Sequence, residues 1–167
     1  MANDLILNFS DSITKTTATC NADENYLQYS VREKMLAWIF TLLQQLQQYN
    51  KETEVLAVLK SNRQFKKSAA FIQLKQAFYR YTDELILEGT NSGEIQSRIF
   101  IANYYKNVLW NVLISIMFFW INDKSDHKEN TDVMVEKTVH FAFDLLAPSA
   151  IDSGIDLIQN IVKLRNK

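Results

Sequence analysis

One proline and three glycines are all that the 167 residues contain of the two residue types that punctuate tight turns. A β-rich chain of this length draws on Gly and Pro at many turns, whereas helices joined by short loops need few. The shortage favours helix before any pattern is read. Cysteine is almost absent as well: Cys20 is alone, so it has no partner for an internal disulfide, and it reads as a small packed thiol in a reducing compartment rather than a reactive one. The two histidines, His127 and His140, are too few and too far apart in sequence to build a zinc site without carboxylate help. His127 reads as solvated and His140 as part of a helix surface. Neither charge sign is in excess, with 18 Lys and Arg against 19 Asp and Glu. A net charge of -1 supplies no long-range field to draw in nucleic acid.

The arrangements that carry recognised chemistry are missing too. There is no G-x-S-x-G, no phosphate-binding loop, no G-x-G-x-x-G and no C-x-x-C. Asp123, Asp126 and Glu129 lack the glycine and the terminal bidentate glutamate of a calcium loop, and read as a solvated acidic segment. No enzymatic activity, cofactor or metal is expected. The start of the chain, Met1 to Phe9, shows no basic segment followed by a long apolar one, so a cytoplasmic location is expected. Val108 to Ile121 is nearly all apolar but falls short of the roughly 20 residues that a membrane span requires. It reads as a helix buried within protein.

What the sequence does hold is core. Hydrophobic residues make up 47% and charged ones 22%, which suits one packed domain over residues 1–167 and argues against disorder. Leu5, Ile6, Phe9 and Ile13 have helical spacing, but the Thr-rich stretch Thr14 to Thr19 weakens the pattern, and this first element is expected to fray. Asn21 to Tyr29 reads as a polar loop. Ser30 and Glu33 form a capping box, and Val31, Met35, Trp38, Leu42 and Leu46 then recur at helical steps to about Tyr49. A short helix follows from about Thr53 to Lys60.

The next helix is expected from about Phe65 to Glu88, ending where Gly89 would make a left-handed cap. Its Lys66, Lys67, Lys75 and Arg80 read as a solvated face with i, i+4 partners rather than a phosphate-binding surface. Asn91 to Gly93 make a turn, and a long helix from about Gln96 to Ile121 is so apolar in its second half that it must be covered on several sides. After a charged, flexible loop from Asn122 to Asn130, Thr131 opens a helix through Leu146. Val135, Val139, Ala142 and Leu146 form one stripe on it, and Met134, Phe141 and Leu145 a second. Two stripes imply two neighbours. Pro148 breaks the chain, Ser149 and Asp152 repeat the capping logic, and a last helix carries Ile151, Ile155, Ile158 and Val162.

Gly93-Glu94-Ile95, Tyr104-Tyr105, Leu109-Trp110, the run Phe119 to Ser125, Thr131-Asp132, Glu136-Lys137 and the run Phe141 to Leu146 together resemble the C-terminal half of TetR/AcrR-type regulators. More narrowly they resemble a subgroup associated with Bacteroidetes. The resemblance is good from about Gly93 to Ser153 and looser from Tyr26 to Glu88. Members of that family begin with a three-helix DNA-binding unit, and nothing before Tyr26 resembles one, so no DNA-binding domain and no direct nucleic-acid contact are expected.

The resemblance implies an all-α, antiparallel bundle of about six to seven helices that senses a ligand and forms a homodimer. It implies that the helices of about 96–121 and 131–146 pair with their mates in a second copy, through Leu113, Met117, Trp120, Val135, Val139, Phe141 and Leu145. It also implies a cavity for a small apolar ligand, with Trp38, Phe78, Tyr81, Tyr104, Tyr105 and Trp110 as candidate lining. A lipid- or isoprenoid-binding accessory protein is the alternative, because a mitochondrial ubiquinone-biosynthesis factor uses a TetR-like fold without binding DNA, and the Phe119 to Ser125 region is faintly similar to it.

Overall fold

A computed structural model describes residues 2–96 and 102–148. Among them are seven α-helices, two short 3-10 turns and no strand, so the fold is all-α. The helices are α1 (Ala2–Asn21), α2 (Glu24–Leu27), α3 (Val31–Gln48), α4 (Glu52–Leu59), α5 (Ala69–Ser92), α6 (Ala102–Asn122) and α7 (Glu129–Leu146). The expected helix carrying Ile151 to Val162 lies outside the described residues, as does the segment 97–101. No helix among the described residues is long and apolar enough to cross a membrane.

The expectation of a frayed first element is corrected, because α1 is a continuous helix that packs along α5 and touches α3 and α4. Its threonines and serines turn their hydroxyls back onto the carbonyls four residues earlier: Ser12 onto Asn8, Thr14 onto Ser10, Thr16 onto Ser12, Thr17 onto Ile13 and Thr19 onto Lys15. Satisfied in this way, small polar side chains enter an interface without leaving orphaned groups. Thr16 and Thr17 then reach α3, where the Thr16 hydroxyl shares its one proton between the Ser12 carbonyl and Gln45 Oε1 at 3.1 Å and Thr17 accepts from the Trp38 indole at 3.0 Å.

The Ser30–Glu33 capping box starts α3 as its residues require, with Glu33 accepting from the Ser30 backbone N–H at 2.9 Å. The helix expected from Phe65 is instead a 3-10 turn, Phe65–Lys67, after which Ser68 caps α5 by accepting from the Phe71 N–H. Nor does α5 stop at Gly89. It continues to Ser92, and Gly93 is the left-handed cap, at φ 81°. Gly89 serves a different need, since a Cβ there would lie 2.7 Å from Ile95 Cδ1 and 3.0 Å from Val31 Cγ2. The segment after Gly93 folds back onto α5, with the Ile95 N–H donating to the Gly89 carbonyl at 2.9 Å.

The Asn122 to Asn130 segment is tied down rather than loose. Asp123 accepts from the N–H and hydroxyl of Ser125 at 2.9 and 2.7 Å, and from the N–H and hydroxyl of Thr131 at 2.8 and 2.7 Å. Partial burial pushes its carboxyl up, but these four bonds outweigh it and hold Asp123 well below the usual carboxylate range. Lys128 donates to the Trp120 carbonyl at 2.7 Å and lies over the Trp120 ring. α6 and α7 thereby leave the turn as a fixed antiparallel pair. α6 is covered by α4, α5 and α7, and α7 also packs on α3.

Candidate functional site

The interior between α3, α5 and α6 is built from rings. Trp38 on α3 stacks on Tyr81 of α5 with centroids 4.6 Å apart and planes 12° apart. Phe78 meets Trp38 at 5.7 Å and Trp110 of α6 at 5.6 Å, and Phe71 meets Trp110 edge-on at 6.1 Å. Trp38, Phe78, Tyr81 and Trp110, named from the sequence as cavity lining, are therefore brought together, but they fill the space with one another. Rings at these separations satisfy each other's faces and edges.

The other two candidates stand elsewhere. Tyr105 is buried and donates to the Gln96 carbonyl at 2.9 Å, while Tyr104 is exposed on the outward side of α6. Beyond the stack, the Tyr81 hydroxyl donates to the Lys34 carbonyl at 3.4 Å and lies 3.3 Å from the Tyr26 hydroxyl. Tyr81 has one proton to give, so Tyr26 is the donor of that pair. Burial pushes the Tyr26 phenol up to about 12 and Tyr81 well above its ordinary value, so both stay neutral donors. The Lys34 ammonium, almost wholly buried, pairs with Glu88 at 2.5 Å. Among the described residues no buried side-chain nitrogen or oxygen lacks a partner.

Concave surfaces lie around this core. A groove of about 390 Å³ runs between α4, α5 and α6, lined by Val58, Leu59, Phe71, Trp110 and Ile114 and by Lys66, Lys75, Asn107 and Asn111. A shallow dish of about 410 Å³ lies over the outward face of α6 and shares Leu59 and Ile114 with that groove, adding Phe118, Phe119 and Met134. A cleft of about 310 Å³ reaches Tyr26, Tyr81, Lys34 and Glu88. A wide polar groove of about 770 Å³ between α1 and α3 is lined by Asp11, Lys15, Gln45 and Gln48. Among the described residues no group of three or more His, Cys, Asp or Glu side chains is placed to hold a metal.

The residues named for self-association divide sharply. Leu113, Met117, Trp120, Val135 and Val139 are buried in the core of their own chain. Phe141 is 65% exposed and Leu145 is 45% exposed. They continue a stripe on α7 that begins at Met134, beside Phe118 in the shared dish. On α6, Tyr104, Asn111, Ser115 and Phe118 face outward, with Phe118 62% exposed. Phe118 was missed although Asn111 and Ser115, at helical spacing before it, mark the outward side of α6.

A family model described as tetracyclin repressor-like, C-terminal domain, matches residues 34–161, from the first turn of α3 through α7 and beyond. No curated protein and no solved structure matches the chain.

Proposed function

This chain belongs to the tetracyclin repressor-like C-terminal domain family, and from that membership we propose that it is the sensor and dimerisation module of a TetR-type transcriptional regulator. It works in the cytoplasm as a homodimer, binds a small apolar ligand, catalyses nothing and makes no DNA contact of its own. One observation carries the reading: Phe118 and Phe141, 62% and 65% exposed, stand on the outward faces of two adjacent, antiparallel helices. Two large aromatic side chains in water, bordered by Tyr104, Met134 and Leu145, are a surface that a second copy would cover. Covering a Phe side chain fully is worth about 1.5–3 kcal/mol, and a twofold axis counts each residue twice.

The ligand site in this reading is the groove beside Trp110. α6 is the element that both surfaces share, since Trp110 and Ile114 border the groove while Tyr104 and Phe118 look outward. A ligand seated against one side of α6 shifts the partner-facing side of the same rigid helix. Light scattering tests the reading: the full chain is expected to have twice the protomer mass at micromolar concentration, and a monomer would overturn it.

A second reading, a lipid- or isoprenoid-binding accessory protein of the same fold, is favoured by the continuity of the groove with the apolar dish around Phe118 and Phe119. Organic extraction and mass spectrometry separate the two. A co-purified isoprenoid or phospholipid supports the accessory protein, and its absence supports the sensor.

A further inference from the structure

The groove between α4, α5 and α6 is lined by apolar side chains together with Lys66, Lys75, Asn107 and Asn111. Lys66 and Lys75 bring two ammonium groups to it, no carboxylate lines it, and among the described residues neither lysine has a carboxylate ion-pair partner. Lys75 takes its i+4 neighbour Tyr79 as an aromatic partner, its Nζ lying 5.1 Å from that ring and 5.8 Å from Trp110. Held over two rings, the ammonium loses little further freedom when an anion arrives. The Tyr79 hydroxyl donates to Asn107 Oδ1 at 2.7 Å, so the amide presents its NH2 as a donor in the same groove.

We propose that this groove binds a small organic anion with an apolar body, its carboxylate beside Lys66, Lys75 and Asn107 and its body against Trp110 and Phe71. The proposal rests on the reading of the chain as a sensor module and names the class of ligand sensed. A cation is refused, because it would meet two ammonium groups with no carboxylate to offset them. A neutral molecule gains only the apolar contacts, whereas an anion adds charge-assisted hydrogen bonds. At about 390 Å³ the groove has the size of a small-molecule site.

The test is calorimetric titration of the full chain with octanoate, octanol and octylamine, three probes of similar body and different head. Octanoate is expected to saturate below its micelle concentration, octanol to bind about tenfold more weakly, and octylamine not to bind, as loss of a hydrogen bond to a charged group implies. Lys75→Gln and Lys66→Gln are each expected to weaken octanoate severalfold without changing octanol, and Lys75→Arg to keep most of the affinity. Octanol binding as tightly as octanoate, octanoate indifferent to both glutamine variants, or no saturation at millimolar concentration would each overturn the proposal. Light scattering on the same samples keeps it separate from the parent reading. A dimer that ignores octanoate sinks the anion site alone, and a monomer that binds octanoate sinks the dimer alone.

Discussion

Asp123, at the end of α6, accepts hydrogen bonds from both the backbone N–H and the hydroxyl of Thr131, at 2.8 and 2.7 Å, and so joins the two C-terminal helices through one carboxylate. Thr131 is itself buried. The contact lies at the turn between α6 and α7, the helices that carry Phe118 and Phe141.

Asp123→Asn replaces a charged acceptor by a neutral one and is expected to destabilise the fold at neutral pH. Because the folded carboxyl titrates below its ordinary value of 3.8, its stabilisation is fully present above that value and is lost as pH falls toward the lower, folded one. In urea denaturation the gap between wild type and variant should be constant above pH about 4 and narrow below it. A gap that stays constant into strong acid would refute the role of the charge.

Phe141→Glu places a charge where the protomer has solvent and the proposed dimer has none. The variant is expected to be monomeric in light scattering, with helical content and melting temperature close to those of a wild-type protomer. Val139→Glu, two residues away but fully buried, is expected to unfold, since an unpaired buried charge costs several kcal/mol. If both variants unfold alike, Phe141 does not lie on an outer face.

Gly89→Ala inserts a methyl group 2.7 Å from Ile95 Cδ1 and 2.8 Å from Ile95 Cγ1. Overpacking of this kind costs about 1–3 kcal/mol. Ile95→Val removes the nearest of those atoms, so the double variant should lose less stability than the two single losses added together. Additive losses would show that the glycine is required for some other reason.

Thr16→Val preserves the shape of a fully buried side chain and deletes the hydroxyl that reaches both the Ser12 carbonyl and Gln45. A loss of about 1 kcal/mol is expected in chemical denaturation. Thr14→Val, whose hydroxyl bonds only to the Ser10 carbonyl within α1, should cost less. Equal effects would mean that the α1–α3 contact contributes nothing beyond the local back-bond.

Much of the architecture was legible because its signals are local. The Ser30–Glu33 box needs only a hydroxyl and a carboxylate three positions apart, and it marks the start of α3 correctly. The turn near Gly93 was visible, but Gly89 and Gly93 are both glycines with helical neighbours. Only the approach of Ile95 and Val31 to Gly89 shows that one provides space and the other a positive φ. The α1 helix was undervalued for a related reason. Thr and Ser carry a propensity cost in isolation, and the contacts with Gln45 and Trp38 that offset it come from residues more than twenty positions away.

The sequence by itself determined an all-helical chain, its family and the existence of two apolar stripes on α7, because helical periodicity assigns residues to faces with no knowledge of neighbours. Tertiary structure alone decided that Val135, Val139, Ala142 and Leu146 face inward while Phe141 and Leu145 face out. It also brought Trp38, Phe78, Tyr81 and Trp110 together, with Trp38 stacked on Tyr81 and Phe78 against both Trp38 and Trp110. The physical reason is that periodicity fixes which side chains share a face, whereas burial depends on what the rest of the chain lays against that face.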